Sequence, residues 1–154
     1  MKKWILRAIL LGIIVALSLS IFSFSAQNAT ESGGLSTKIC EIILRIFCGR
    51  DSVTPERVDR IEPFIRKLAH FSEYLALGFS WLWLIRTFEV RHAVGFWAAV
   101  GVSALYAVSD EVHQLFVPGR SGQVTDVLLD TAGALCGALL WTALAALFRK
   151  KTKN

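Results

Sequence analysis

Four apolar blocks, Ile5–Phe24, Leu68–Ile85, Ala93–Val108 and Val127–Phe148, dominate this chain of 154 residues. A helix needs about 20 consecutive apolar residues to cross a bilayer, and each block is near that length. Hydrophobic residues make up 54% and charged ones 19%, against about 45–50% and 25% in soluble domains. The sequence therefore predicts an all-α membrane protein in a single domain over residues 1–154. Its architecture is a bundle of four transmembrane helices, at about 5–24, 66–86, 93–114 and 124–148, plus an amphipathic interfacial helix within an outer segment, 25–65. No segment alternates polar and apolar residues as a membrane β-strand does.

Charge placement orients the bundle. The net charge of +5 is uneven: nine of seventeen Lys and Arg residues fall before or in the first turn of the first block, in the Arg86–Arg91 loop and after the last block, with only Glu89 as acidic company. The other eight share the opposite side with eleven acidic residues. Basic excess in short flanks marks the cytoplasmic face, so the expected location is the cell membrane, multi-pass, with both termini cytoplasmic. The same placement argues against a nucleic-acid partner. Ser23-Phe24-Ser25 resembles a signal-peptide cleavage site, but the block before it exceeds the 7–15 apolar residues typical of such signals; a retained helix is expected. Cys40 and Cys48 would stand about 12 Å apart on one helix, too far for a disulfide.

Between the first two spans, Gln27 to Gly34 reads as a loop. Leu35, Ile39, Ile42, Ile43, Ile46 and Phe47 then repeat at helical spacing, with Ser36 or Thr37 as the expected cap and Gly49 as the stop. This helix is too short to span. It lies flat on the membrane surface or packs over the ends of the bundle. Thr54-Pro55-Glu56 has the chemistry of a helix start, Pro63 starts or kinks the second span, and Ser121 follows a Pro-Gly turn where it can cap the last helix.

The residues that interrupt the apolar blocks carry the chemistry. At about 100° per residue, Lys67, His70, Glu73 and Tyr74 share one face of the second span. Ser103, Tyr106, Asp110, His113 and Gln114 share a face of the third, flanked by Glu111, and Asp126 and Asp130 continue into a Gly133, Gly137 stripe on the fourth. His70 and Glu73, Asp110 to His113, and Asp130 lie near one level, at the outer edge of the hydrocarbon. A charge in the membrane costs roughly 2.5–3.5 kcal/mol, so such residues converge on partners or on a ligand. The catalytic candidates are His70, Glu73, Asp110, Glu111 and His113; the substrate-binding candidates are Lys67, Tyr74, Tyr106, Gln114, Arg120, Asp126 and Asp130. Two chemistries fit. His70-x-x-Glu73 and Asp110-x-x-His113 have a spacing that lets each pair share a divalent metal. Without a metal, the same groups do acid/base work while Arg120 and Lys67 hold a phosphate or carboxylate. Gly133-x-x-x-Gly137 is a small-residue face for close packing within the bundle or, secondarily, for a dimer.

Lys67-x-x-His70-x-x-Glu73-Tyr74, the run from Tyr106 through Asp110-Glu111-Val112-His113-Gln114 to Pro118-Gly119-Arg120-Ser121, and Asp126 to Gly133 together resemble the VanZ-like family. Ser25, Gln27, Ser32 and Ser36 resemble that family's outer loop, so the likeness covers nearly the whole chain. Asp130 stands where many members carry Asn. The resemblance implies a bacterial membrane protein of a family named for a glycopeptide-resistance protein acting mainly against teicoplanin. The expected function is an outward-facing site acting on a lipid-linked or cell-wall envelope molecule, lowering susceptibility to glycopeptide or lipoglycopeptide antibiotics. The alternative is a non-catalytic binder or shield that limits antibiotic access; membrane lipids and such an envelope precursor or lipoglycopeptide are the expected partners. A transporter fits less well, because the polar cluster sits near one surface rather than the middle.

The charge asymmetry is directly testable. Single cysteines at positions 2 and 153 should resist a membrane-impermeant thiol reagent in intact cells, and labelling at either would overturn the predicted topology.

Overall fold

The computed structural model describes residues 2–26, 29–49 and 53–151. Among these residues every regular element is helical: α1 (Lys3–Ser25), α2 (Ala29–Cys48), α3 (Pro55–Arg86), α4 (His92–Gln114) and α5 (Val124–Lys151). Three helices, Lys3–Ser25, His92–Gln114 and Val124–Arg149, are long and apolar enough to cross a membrane. Helix α3, the longest, is less apolar because His70 and Glu73 interrupt its hydrophobic run.

Local signals account for two of the helix ends. The Thr54 side chain accepts from the Arg57 N–H at 3.4 Å, with Pro55 as the first residue of α3. The helix continues through Pro63, which therefore starts no new element; its missing N–H leaves only the Asp59 carbonyl without an intrahelical donor. Gly49, at φ +87°, ends α2 in a left-handed conformation open to glycine. Two expectations need correction. Helix α2 begins at Ala29, not near Ser36, so residues 29–34 are helical rather than loop. Helix α5 begins at Val124, beyond Ser121, and the N–H of the preceding Gln123 is taken by the Glu111 carboxylate.

Helix α2 divides its apolar surface. Cys40 and Leu44 are buried against Val58, Ile61 and Ile65 of α3, while Ile42, Ile46 and Phe47 stay exposed. It thus packs beside the bundle along one edge and keeps a second apolar edge uncovered. None of the three cysteines forms a disulfide. At the other end of the bundle, Arg7 of α1 donates to the Thr87 carbonyl at 2.8 Å and to its hydroxyl at 3.1 Å. The same guanidinium lies 3.9 Å over the Phe88 ring, and Lys3 pairs with Glu89 at 2.6 Å. The basic start of α1 thereby clamps the tight link between α3 and α4.

Helix α3 is central, packing against α1, α2, α4 and α5. Leu10, Ile14 and Ile21 of α1 meet Tyr74, Leu77 and Leu84 of α3 and Ala107 of α4 in one core cluster. Against α5 the approach is backbone to backbone. A Cβ on Gly133 would strike the Phe71 carbonyl, one on Gly137 the Leu75 carbonyl, and one on Gly78 the Ala134 carbonyl. The Gly133/Gly137 stripe is therefore filled by α3 of the same chain. The two helices run parallel in fixed register, because 133 minus 71 and 137 minus 75 both equal 62.

Gly137→Ala should destabilise the protein in detergent by roughly 1–3 kcal/mol, the usual cost of overpacking. Gly101→Ala is the control, since nothing lies within 4 Å of its added Cβ; it should leave thermal unfolding unchanged or raise its midpoint. Equal effects would refute the close contact.

Candidate functional site

One turn beyond the last glycine contact, where α3 enters the bundle, α4 ends and α5 begins, the helices part around a cleft of about 260 Å³. Helix α3 lines it with Glu62, Pro63, Arg66, Lys67 and His70, α4 with Glu111 and Gln114, and α5 with Asp126, Leu129 and Asp130. Gly119, Arg120, Ser121 and Gln123 of the α4–α5 loop close one side. The register explains the pairing: the face that puts Phe71 on Gly133 puts Lys67 opposite the first turns of α5. Lys67 Nζ lies 3.2 Å from Asp126 Oδ1.

Three contacts organise the walls. The Glu111 carboxylate accepts from the Gln123 N–H and so fastens the loop that carries Arg120 to the end of α4. Gly119, at φ +77°, makes the turn that presents the arginine. Glu62 pairs with Arg66 one turn along α3 and also accepts from the Ser36 hydroxyl of α2. Burial opposes ionisation of Glu62, but the hydrogen bonds from Ser36 and Arg66 and the charges of Arg66 and Arg120 outweigh it, holding this carboxyl below its usual range. Burial and neighbouring Arg66 lower the Arg120 pKa, against the pull of Asp110, Glu111 and Asp126. The arginine is thus half-buried within a ring of carboxylates.

Behind the cleft, toward α1, lies a second polar layer. Asp110 and Tyr74 are buried, and Gln114 Nε2 donates to Asp110 Oδ2 at 3.2 Å. The Tyr106 hydroxyl donates to the Ser18 carbonyl of α1 at 2.6 Å, and its ring centroid lies 6.3 Å from that of Tyr74. His113 stacks on Phe22 of α1, centroids 4.6 Å apart. Glu73 lies within reach of the Ser20 hydroxyl. His70 connects the layers, lining the cleft while standing within electrostatic reach of Asp110. Several buried atoms here make no hydrogen bond: His70 Nδ1, Tyr74 Oη, Asp110 Oδ1, His113 Nε2, Asp130 Oδ1 and Ser25 Oγ. Ser25 is close enough to Asp110 to act on it electrostatically but lies outside hydrogen-bond geometry.

The candidates from sequence thus divide. Lys67, His70, Glu111, Gln114, Arg120, Asp126 and Asp130 line the cleft; Glu73, Tyr74, Tyr106, Asp110 and His113 do not. Among the described residues no group of three or more His, Cys, Asp and Glu side chains is arranged to hold a metal ion. Of the four candidate ligands His70, Glu73, Asp110 and His113, only His70 reaches the cleft. The sequence reading passed over Glu62, Arg66 and Gln123 at the cleft and Ser18 and Phe22 behind it. The Glu62–Arg66 pair had a signal in its i, i+4 spacing; Ser18 and Phe22 had none, buried as they are in an apolar run.

An all-helical bundle with membrane-length apolar helices and an ionisable cleft at one end is the class of protein these features define. The chain belongs to the VanZ/LLP1 family, whose model matches residues 7–148. No curated protein and no solved structure matches it.

If Glu111 acts by holding the loop, Glu111→Gln should keep most of the fold's stability, because an amide oxygen still accepts from Gln123. Glu111→Ala should lose about 1–3 kcal/mol by leaving that N–H unsatisfied. Thermal unfolding of both variants checks this, and equal losses would contradict it.

Proposed function

We propose that this protein is a four-span membrane protein whose cleft faces the cell exterior and acts on the anionic headgroup of a lipid-linked or cell-wall envelope molecule. The observation that carries the reading is the cleft itself: Arg66, Lys67 and Arg120 gather beside His70 and Asp130 at one end of an apolar bundle. Helix α3 joins the three apolar helices as a span, because its polar side chains turn toward the bundle and the short link to α4 makes the two antiparallel neighbours. The basic flanks at Lys2, Lys3, Arg86, Arg91 and Arg149 support a cytoplasmic position for the opposite end.

In this reading Arg120 holds the anion with a planar fork that can engage two oxygens, Lys67 adds a point charge, and Asp126 orients Lys67. His70 is the group placed to transfer a proton to or from the ligand, with Asp110 and Glu73 behind it. Asp130 orients the bound group, and His113 supports the inner layer against α1. The biological consequence is a lowered susceptibility to glycopeptide or lipoglycopeptide antibiotics such as teicoplanin. A binder or shield is the second reading, favoured by one observation: Glu73, Asp110 and His113, three of the five candidate acid/base groups, do not line the cleft.

Expression in a susceptible bacterium tests the proposal. Arg120→Lys, at matched membrane abundance, should lose most of any teicoplanin protection, since losing a bidentate contact costs about tenfold in binding. Full protection by the lysine variant would reduce Arg120 to charge balance. His70→Gln separates the two readings: it should abolish a catalytic effect and spare a shield.

A further inference from the structure

Three fixed cations, Arg66, Lys67 and Arg120, face four carboxylates, Glu62, Glu111, Asp126 and Asp130, around the cleft. Glu62 pairs with Arg66, and Asp126 lies beside Lys67. A simple anion entering this space meets at least as many carboxylates as cations, and a simple cation meets the guanidinium of Arg120. A ligand bearing both signs meets both. The inner wall supplies a specific acceptor for the positive part: Asp130 is 3% exposed, lines the cleft and has an Oδ1 with no hydrogen-bond partner. His70 Nδ1, also without a partner, lies on the same wall.

Size narrows the choice. At about 260 Å³ the cleft falls below the roughly 300–1,000 Å³ typical of sites for drug-sized ligands. A headgroup fits this space. Exposed apolar side chains follow two lining residues on α3: Phe64 comes after Pro63 and Leu68 after Lys67. Hydrocarbon chains can stay against these residues while the headgroup enters between the helices.

We propose that the cleft binds a phospholipid headgroup that joins a phosphate to a primary ammonium, the phosphate on Arg120 and Lys67 and the ammonium on Asp130. This rests on the reading that the cleft takes an envelope headgroup, and it specifies which one. An ammonium brings three donors to a site with an unpartnered carboxylate oxygen, whereas a trimethylated nitrogen brings none.

The full-length protein in nanodiscs tests this. The discs contain equal parts phosphatidylethanolamine, phosphatidylcholine and phosphatidylglycerol with the same acyl chains, and lipids retained on release are counted by native mass spectrometry. Phosphatidylethanolamine should be retained about tenfold over each of the others, roughly one charge-assisted hydrogen bond. Asp130→Asn should reduce its advantage over phosphatidylcholine, and Arg120→Ala should lower retention of all three. Equal retention of phosphatidylethanolamine and phosphatidylcholine by the native protein would overturn the ammonium assignment without recourse to any variant. A preference for phosphatidylglycerol would overturn it too, while leaving an anionic-headgroup site standing. No preference among the three would overturn both.

Discussion

The close approach of α3 and α5 through Gly133, Gly137 and Gly78 is the constraint from which the rest of the structure follows. Small residues let backbones meet where side chains would hold them apart, and here carbonyls of Phe71, Leu75 and Ala134 occupy the space a Cβ would need. Because the two helices are parallel and locked in register, the residues one turn toward α2 must face each other. Those residues are Lys67 and His70 on one helix and Asp126, Leu129 and Asp130 on the other. With no glycine there, their longer side chains keep the helices apart, and the cleft is the space they leave. Helix α4 completes it, with Glu111 tying down the loop that brings Arg120 across.

Electrostatics inside this frame is a balance of near-matched charges rather than a single-sign field. In the proposed orientation, ionisable groups at this depth would be expensive if they faced lipid, and the fold spares that cost by turning them toward the cleft and α1. Some groups are matched within the protein, as Glu62 is by Arg66 and Ser36. Others, such as Asp130 Oδ1 and His70 Nδ1, are buried with no partner, as the proposed ligand-directed site would leave them. The contrast separates holding contacts from contacts available for chemistry. Glu111, on sequence grounds a catalytic candidate, holds a loop; Tyr106 anchors α1 through Ser18.

Much of the fold was legible because its signals are local or periodic. The Thr54-Pro55 helix start, the Gly49 stop, the short α3–α4 link and the glycine stripe each follow from residue chemistry at fixed spacing. The start of α2 was not, because Gly and Ser between residues 32 and 34 signal a loop, while each Gly costs only about 1 kcal/mol in a helix. For the site, helical arcs grouped the polar residues of each helix but could not say which neighbour each one meets. Asp110 and His113 share an arc with Gln114, yet Gln114 lines the cleft while His113 stacks on α1. One arc is broad enough to serve two neighbours, and nothing in the apolar run of α1 announces that Ser18 and Phe22 will be among them. Arg66 was hidden for a different reason: beside Glu62 it reads as an ordinary surface ion pair until α2 and Arg120 are placed around it.

The central claim is that α3 and α5 meet in parallel at one cleft. It is tested most directly by cross-linking cysteines placed at Lys67 and Asp126 in an otherwise cysteine-free protein, with a protease site in the Thr87–Arg91 loop. A short bis-thiol reagent applied to membranes should leave the two fragments joined after cleavage. Fragments that separate, although each cysteine alone reacts with a monofunctional reagent, would show that the two helices do not meet there.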